Sequence, residues 1–172
     1  DLQAQGFQVH GLVHRATTAQ KAKERDLAQV ISTDTQILAD CDLIILALPI
    51  DKLLEPSTSL LNALPTSAVI TDVASVKAPV LKVWEKIHHN FVASHPMAGA
   101  NEAGVEAGRL GLFQQRPWVS TPEQNTNPIA LEKVHQLAIS LGAQWITSDP
   151  NMHDEAVALI SHLPVLISAA LL

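Results

Sequence analysis

Chemistry in this chain concentrates in one short loop, Ala93-Ser94-His95-Pro96-Met97-Ala98-Gly99. A strand that delivers a histidine, is stopped by a proline and then enters a glycine-punctuated loop holds an imidazole at the rim of a sheet, where open α/β sheets carry their ligands. Histidine, with an unperturbed pKa of about 6.5, takes and returns protons near neutrality. His95 is therefore the candidate general base. Two further turns follow apolar runs, Leu46-Ala47-Leu48-Pro49 and Thr71-Asp72-Val73-Ala74-Ser75-Val76-Lys77. Small residues and a proline at a strand's end let a ribose approach the backbone, and Asp72 and Ser75 add short hydrogen-bonding side chains. Leu48, Pro49, Asp72 and Ser75 are thus candidate contacts to a nucleotide cofactor. Singly, each turn is an ordinary strand-to-helix connection, with Asp72 or Ser75 a cap; three on one edge, with a histidine, point to a site.

The segment Gly11-Leu12-Val13-His14-Arg15-Ala16-Thr17-Thr18 carries the cofactor preference. In dinucleotide-binding folds the second strand ends beside the adenosine ribose, where an acid accepts from the 2′-hydroxyl and an arginine accommodates a 2′-phosphate. Arg15 stands at that place, with Thr17 two residues on and no Asp or Glu nearby, which favours NADP over NAD. An arginine at a strand end is in isolation more often simply solvated; the sheet pattern is what gives this one weight. The glycine-rich pyrophosphate loop that should precede such a strand does not occur in the sequence, so the cofactor is inferred from the second half of its site.

Other histidines are weighed in the same way. His153, in Asn151-Met152-His153-Asp154, and His162, in Ser161-His162-Leu163-Pro164, share a helix leaving the nucleotide domain. Their spacing gives no i, i+4 pair and there is no cysteine beside them, so no metal site is expected. His88 and His89, near a helix end, and His135, within a helix, are expected at the surface, and His14 near the adenosine end of the cofactor.

The elements that must position these residues alternate. Strands are expected over Phe7–Val13, Leu43–Leu48, Ala68–Thr71, Phe91–Ser94, Trp118–Thr121 and Ala143–Thr147. The unbroken apolar run from Leu43 reads as a strand covered on both faces. Helices are expected over Thr18–Arg25 with a threonine cap, Leu53–Leu64 with a break near Pro56, Val76–Ile87 with Pro79 in its first turn, and Pro128–Leu141 stopped by Gly142. Asp149-Pro150 caps a last helix running to the end of the chain. This alternation predicts an α/β, Rossmann-like, doubly wound and mainly parallel sheet over residues 1–147. Residues 148–172 read as the first helix of a C-terminal all-helical domain. Both ends look cut, with a helix's last turn at Asp1–Gly6 and an apolar helical pattern still running at Leu172.

Bulk properties bound the partners. With 47% hydrophobic and 16% charged residues the chain is globular rather than disordered. A net charge of −6 argues against nucleic-acid or acidic-membrane partners, which need a basic face. The single cysteine, Cys41, excludes an internal disulfide and fits a reducing, cytoplasmic location; it reads as a small residue packed before a strand. The apolar run ending at Ile50 is too short to span a bilayer.

Taken together, His95-Pro96-Met97-Ala98-Gly99, preceded by Asp72-Val73-Ala74-Ser75-Val76-Lys77 and followed by His153-Asp154 and Ser161-His162-Leu163-Pro164, resembles the prephenate and arogenate dehydrogenases of tyrosine biosynthesis. The likeness runs over essentially the whole chain and looks closest to the NADP-dependent arogenate dehydrogenases of cyanobacteria. It implies that His95 takes the proton of the substrate's ring hydroxyl as the same carbon gives hydride to the nicotinamide, after which the ring carboxylate leaves as carbon dioxide. Ser75 would hydrogen-bond both the histidine and the hydroxyl, and Arg15 and Thr17 would grip the 2′-phosphate. His153 and His162 would line the substrate pocket on a helix leading into a domain through which a homodimer forms. Prephenate-using members often carry a histidine where Val165 stands, which favours arogenate, and the arginine that holds the substrate carboxylate would lie beyond Leu172. Two alternatives stay open. A dehydrogenase of the β-hydroxyacid type would place a lysine on the last helix, and none occurs after Asp149; an NADP-sensing module without catalysis would bind the cofactor and never reduce it.

Overall fold

The computed structural model describes residues 1–99 and 104–171. Strands β1 (His10–Leu12) and β2 (Val30–Ser32) are parallel and flank helix α1 (Ala16–Glu24). Strands β3 (Leu43–Leu46), β4 (Val69–Asp72) and β5 (Phe91–Val92) lie side by side, all parallel. After the single residue Ala93 the same chain continues as β6 (Ser94–Pro96), which pairs antiparallel with β7 (Pro117–Ser120); β7 in turn pairs parallel with β8 (Gln144–Thr147). Ala93 is the joint, and its carbonyl accepts from Thr121 N and Ser120 Oγ, both at 3.1 Å. No backbone acceptor is therefore orphaned where the strand changes partners. The architecture is the expected Rossmann-like α/β one, with the antiparallel β6–β7 pair the exception to parallel order.

Alternation along the central strands explains the two covered faces. Ile70 and Phe91 point to one side, with Leu46, and meet α2 (Ile50–Leu54) and α4 (Ala78–Trp84). There Trp84 is fully buried, stacks on Phe91 with ring centroids 5.4 Å apart, and donates from Nε1 to the Leu53 carbonyl at 2.8 Å. Their neighbours Val69 and Val92 point the other way, onto Ala130 and Val134 of α5 (Pro128–Ser140). Period-2 alternation of apolar side chains on both faces is what a sandwiched parallel sheet requires.

Several expectations change at element ends. β1 covers only His10–Leu12, and Phe7 is half exposed, its carbonyl taken by the Gln29 side chain. β3 stops at Leu46, and Ile45 is 38% exposed because α5 reaches β4 and β5 but leaves this end of β3 open. α1 is capped at Arg15 in extended backbone, without a side-chain cap, so neither threonine plays that part. The helix expected over 53–64 is split into α2 and α3 (Thr58–Ala63), the latter capped by Ser57. His88 is buried: its Nε2 faces the Pro65 carbonyl at 3.1 Å and its Nδ1 accepts from Asn90 N at 3.3 Å, which makes it a structural imidazole and not a surface one. Part of the glycine-punctuated stretch between Gly99 and Gly111 lies outside the described residues.

Asp149 caps α6 (Pro150–Val157), accepting from Asn151 N and Met152 N. One π turn, Ala158–His162, leads into α7 (Leu163–Ala170). Pro164 lacks an amide and its ring crowds the carbonyl four residues back, so a wider turn before it relieves the helix. Among the described residues no helix is long and apolar enough to cross a membrane.

A buried polar network joins β4 to β6. Lys77 and Asp72 are both fully buried and paired, and Lys77 Nζ also donates to the Ser94 carbonyl at 2.8 Å. Asp72 further accepts from Ala74 N at 3.0 Å and Ser94 N at 3.2 Å, while Ser94 Oγ donates to the Asp72 carbonyl at 3.0 Å. Burial pushes the carboxyl up and the ammonium down, and their contact opposes both shifts. Removing one member strands the other charge in a dry interior. Lys77→Met should therefore lower unfolding stability in urea by about 3–5 kcal/mol, and adding Asp72→Leu should recover part of that loss.

Candidate active site

His95 is the middle residue of β6, not a residue beyond the strand, and its side chain is 9% exposed. β6 leaves the sheet edge where β3 and β4 finish, since Leu46 pairs with Asp72 and Thr71 with Val92. The imidazole Nδ1 lies 3.0 Å from Nε2 of His153, with the rings edge to face at 82°. His153 is itself buried, and its Nδ1 lies 2.8 Å from Asp154 Oδ1. Asp154 in turn accepts from the amides of Lys77, at 2.6 Å, and Ala78, at 2.9 Å. These amides open α4, where unsatisfied N–H groups favour a carboxylate. α6 is thereby latched to the turn after β4, and its histidine is brought behind His95.

Burial lowers the His95 pKa from 6.5 to about 4; His153, Lys77 and His162 push the same way, and Asp154 opposes them. The ring is neutral at pH 7, as a general base must be. His95 Nε2 has no hydrogen-bond partner among the described residues. An unprotonated imidazole nitrogen in that state can accept a proton.

The other sequence-derived residues divide. Leu48, Pro49 and Ser75 are exposed on the turns after β3 and β4, open to a ribose or nicotinamide. Arg15 and Thr17 are exposed at the N-terminus of α1, whose first turn holds no acid; cation, hydroxyl and free helix amides fit a phosphate. His162 is half-buried in the π turn, close enough to act on the charge of His95. Asp72 is a correction: fully buried, with both carboxylate oxygens occupied by Lys77, Ala74 and Ser94, it holds the site together from below and offers nothing to a cofactor. Ser75 makes no hydrogen bond to His95 among the described residues; His153 occupies Nδ1, and Nε2 is the ring nitrogen left to a hydroxyl. Sequence reasoning missed Lys77 and Asp154. The only hint was their place inside the quoted motifs, a lysine closing the Asp72 segment and an acid next to His153.

A depression of about 330 Å³ lies elsewhere, between α4 and the start of α6, lined by Pro79, Lys82 and Asn151 among others. Neither His95 nor His153 lines it; its ionisable side chains are Lys82, Glu85 and Glu123.

Comparison with known proteins gives the family. Residues 1–147 match the family model described as prephenate dehydrogenase, nucleotide-binding domain. The chain is 30% identical over 155 residues to the cyclohexadienyl dehydrogenase of Zymomonas mobilis, covering 88% of this chain and 53% of that protein. It is 31% identical over 132 residues to the prephenate dehydrogenase of Bacillus subtilis, covering 74% of this chain and 36% of the relative. The chain thus spans from about a third to about half of these relatives' length. Among solved structures, Synechocystis arogenate dehydrogenase superposes with a TM-score of 0.84 at 35% identity, over 99% of this chain and 62% of that one. Prephenate dehydrogenase from Aquifex aeolicus, in complex with hydroxyphenyl propionate and NAD+, superposes with a TM-score of 0.91 at 27% identity, over 99% and 61%. On the match over residues 1–147 and the agreement in sequence and fold, the chain belongs to the prephenate dehydrogenase family and carries that family's nucleotide-binding domain.

Proposed function

We propose that this chain is the cofactor-binding part of an NADP-dependent dehydrogenase that converts arogenate to tyrosine, or prephenate to 4-hydroxyphenylpyruvate, by oxidative decarboxylation. One observation carries the reading: a neutral imidazole, His95, with Nε2 unengaged among the described residues, follows Ser94, whose amide is bonded to Asp72 at the end of β4 beside the end of β3. A bound nicotinamide supplies the two-electron acceptor. His95 Nε2 takes the proton of the ring hydroxyl as its carbon is oxidised to a ketone. The ring carboxylate then leaves as carbon dioxide, the electron pair of the broken C–C bond makes the ring aromatic, and the proton returns from His95 to the phenolate oxygen.

NADP is preferred to NAD because Arg15 and Thr17 flank the start of α1 with no acid in its first turn. Val165, in place of a histidine after Leu163-Pro164, favours arogenate. Leu159, Ile160, Val165 and Leu166 are about two-thirds exposed, which supports a helical domain packing on this face and a homodimer formed through it. The proposed setting is the cytoplasm.

In the complete enzyme, assays with both substrates and both cofactors test the assignment, and turnover fastest with arogenate and NADP is expected. His95→Asn should lower turnover at least about a hundredfold while leaving cofactor affinity nearly unchanged; an active variant would remove His95 as the base. Arg15→Ala should weaken NADP by about 1–3 kcal/mol and leave NAD little affected, and equal losses would refute the cofactor preference.

The pH dependence has a definite sign. With the folded His95 at about 4 and its ordinary value at 6.5, kcat/KM should lose no activity to His95 protonation on acidification until pH approaches 4. Between those values the unfolded chain binds the proton more readily, so stability contributed by this site falls as pH drops from 6.5 towards 4. His95→Asn should remove that part of the slope in urea titrations at stepped pH.

A further inference from the structure

The chain of contacts behind His95 has a consequence that rests on the function proposed above and extends it. Asp154 accepts backbone amides at both oxygens, Lys77 N at Oδ1 and Ala78 N at Oδ2. It therefore faces His153 as an acceptor, and His153 Nδ1 must carry the hydrogen in their 2.8 Å contact. When the His153 ring carries that one hydrogen, its Nε2 presents a lone pair and the 3.0 Å contact to His95 is made by the His95 Nδ1–H. That leaves the His95 lone pair on Nε2.

We infer that His153 and Asp154 are positioning residues, an acceptor relay that holds His95 in the one tautomer able to take a proton from the substrate. His153 is then not a substrate ligand. The logic is that of a carboxylate orienting a catalytic imidazole, here acting through an intervening histidine. A His95 with its hydrogen on Nε2 would be a donor toward the hydroxyl and could not act as base. The relay also accepts the Nδ1–H of the imidazolium formed during turnover. The charged and titratable groups facing His95 are Lys77, neutralised by Asp72, from the turn before α4; His153 and Asp154 from α6; and His162 from the π turn.

The test uses the complete enzyme labelled with 15N-histidine. At neutral pH the His95 signals should show a protonated Nδ1 and an unprotonated Nε2. Asp154→Asn should disturb that tautomer and cut kcat by about 10²- to 10⁴-fold, with KM within about threefold. His153→Gln, whose carbonyl can still accept from Nδ1–H, should keep at least ten times the kcat of His153→Leu. These two variants decide the matter if Asp154→Asn does not fold. A folded Asp154→Asn with wild-type turnover and an unchanged tautomer would overturn the relay, as would equal activity of the Gln and Leu variants. Failure of the functional reading looks different: His95→Asn would stay active whatever the tautomer signals show.

Discussion

An ammonium group with no access to water, Lys77, holds three backbone segments at one point. Its contacts are the Asp72 carboxylate at the end of β4 and the Ser94 carbonyl at the start of β6, and its own amide is taken by Asp154 of α6. Each neighbour is constrained because none of these charges can be left unpaired at such depth. The exchange of partners at Ala93, from β4 to β7, happens beside this network, and His95 follows two residues later. The position of the imidazole is thus set by an ion pair it does not touch.

The same arrangement explains the chemistry available to His95. A ring at the sheet edge in open water would titrate near its ordinary value and turn freely. Burial, reinforced by Lys77, His153 and His162, keeps it neutral, and the contact with His153 keeps it in place. Asp154 opposes that lowering of the His95 pKa, and its carboxylate is shared among the amides opening α4 and His153. One acid therefore serves helix capping, inter-element attachment and imidazole orientation.

The contact between His95 and His153 shows how neighbours in space differ from neighbours in a motif. Ser75 lies two residues from Lys77 yet is exposed on its turn, while His153, 58 positions from His95, makes the contact. The latch between Asp154 and the Lys77 and Ala78 amides brings it there. Asp72 makes the complementary point: an acid at a strand's end, read as a cofactor contact or a cap, is buried under its lysine partner.

What the sequence determined by itself is what local chemistry controls. Alternating apolar residues set the strands and two-sided core; Asp149, Asn127 and Asp34 cap the turns they precede, and Gly142, at φ 74°, ends α5. The order of the His95, Asp72 and His153 segments was enough to mark the family. Tertiary structure alone decided which imidazole nitrogen is occupied, which acid is buried and where α6 attaches. These outcomes depend on side chains tens of residues apart closing onto one another under a demand that every buried polar group find a partner, and no spacing along the chain encodes which partner that will be.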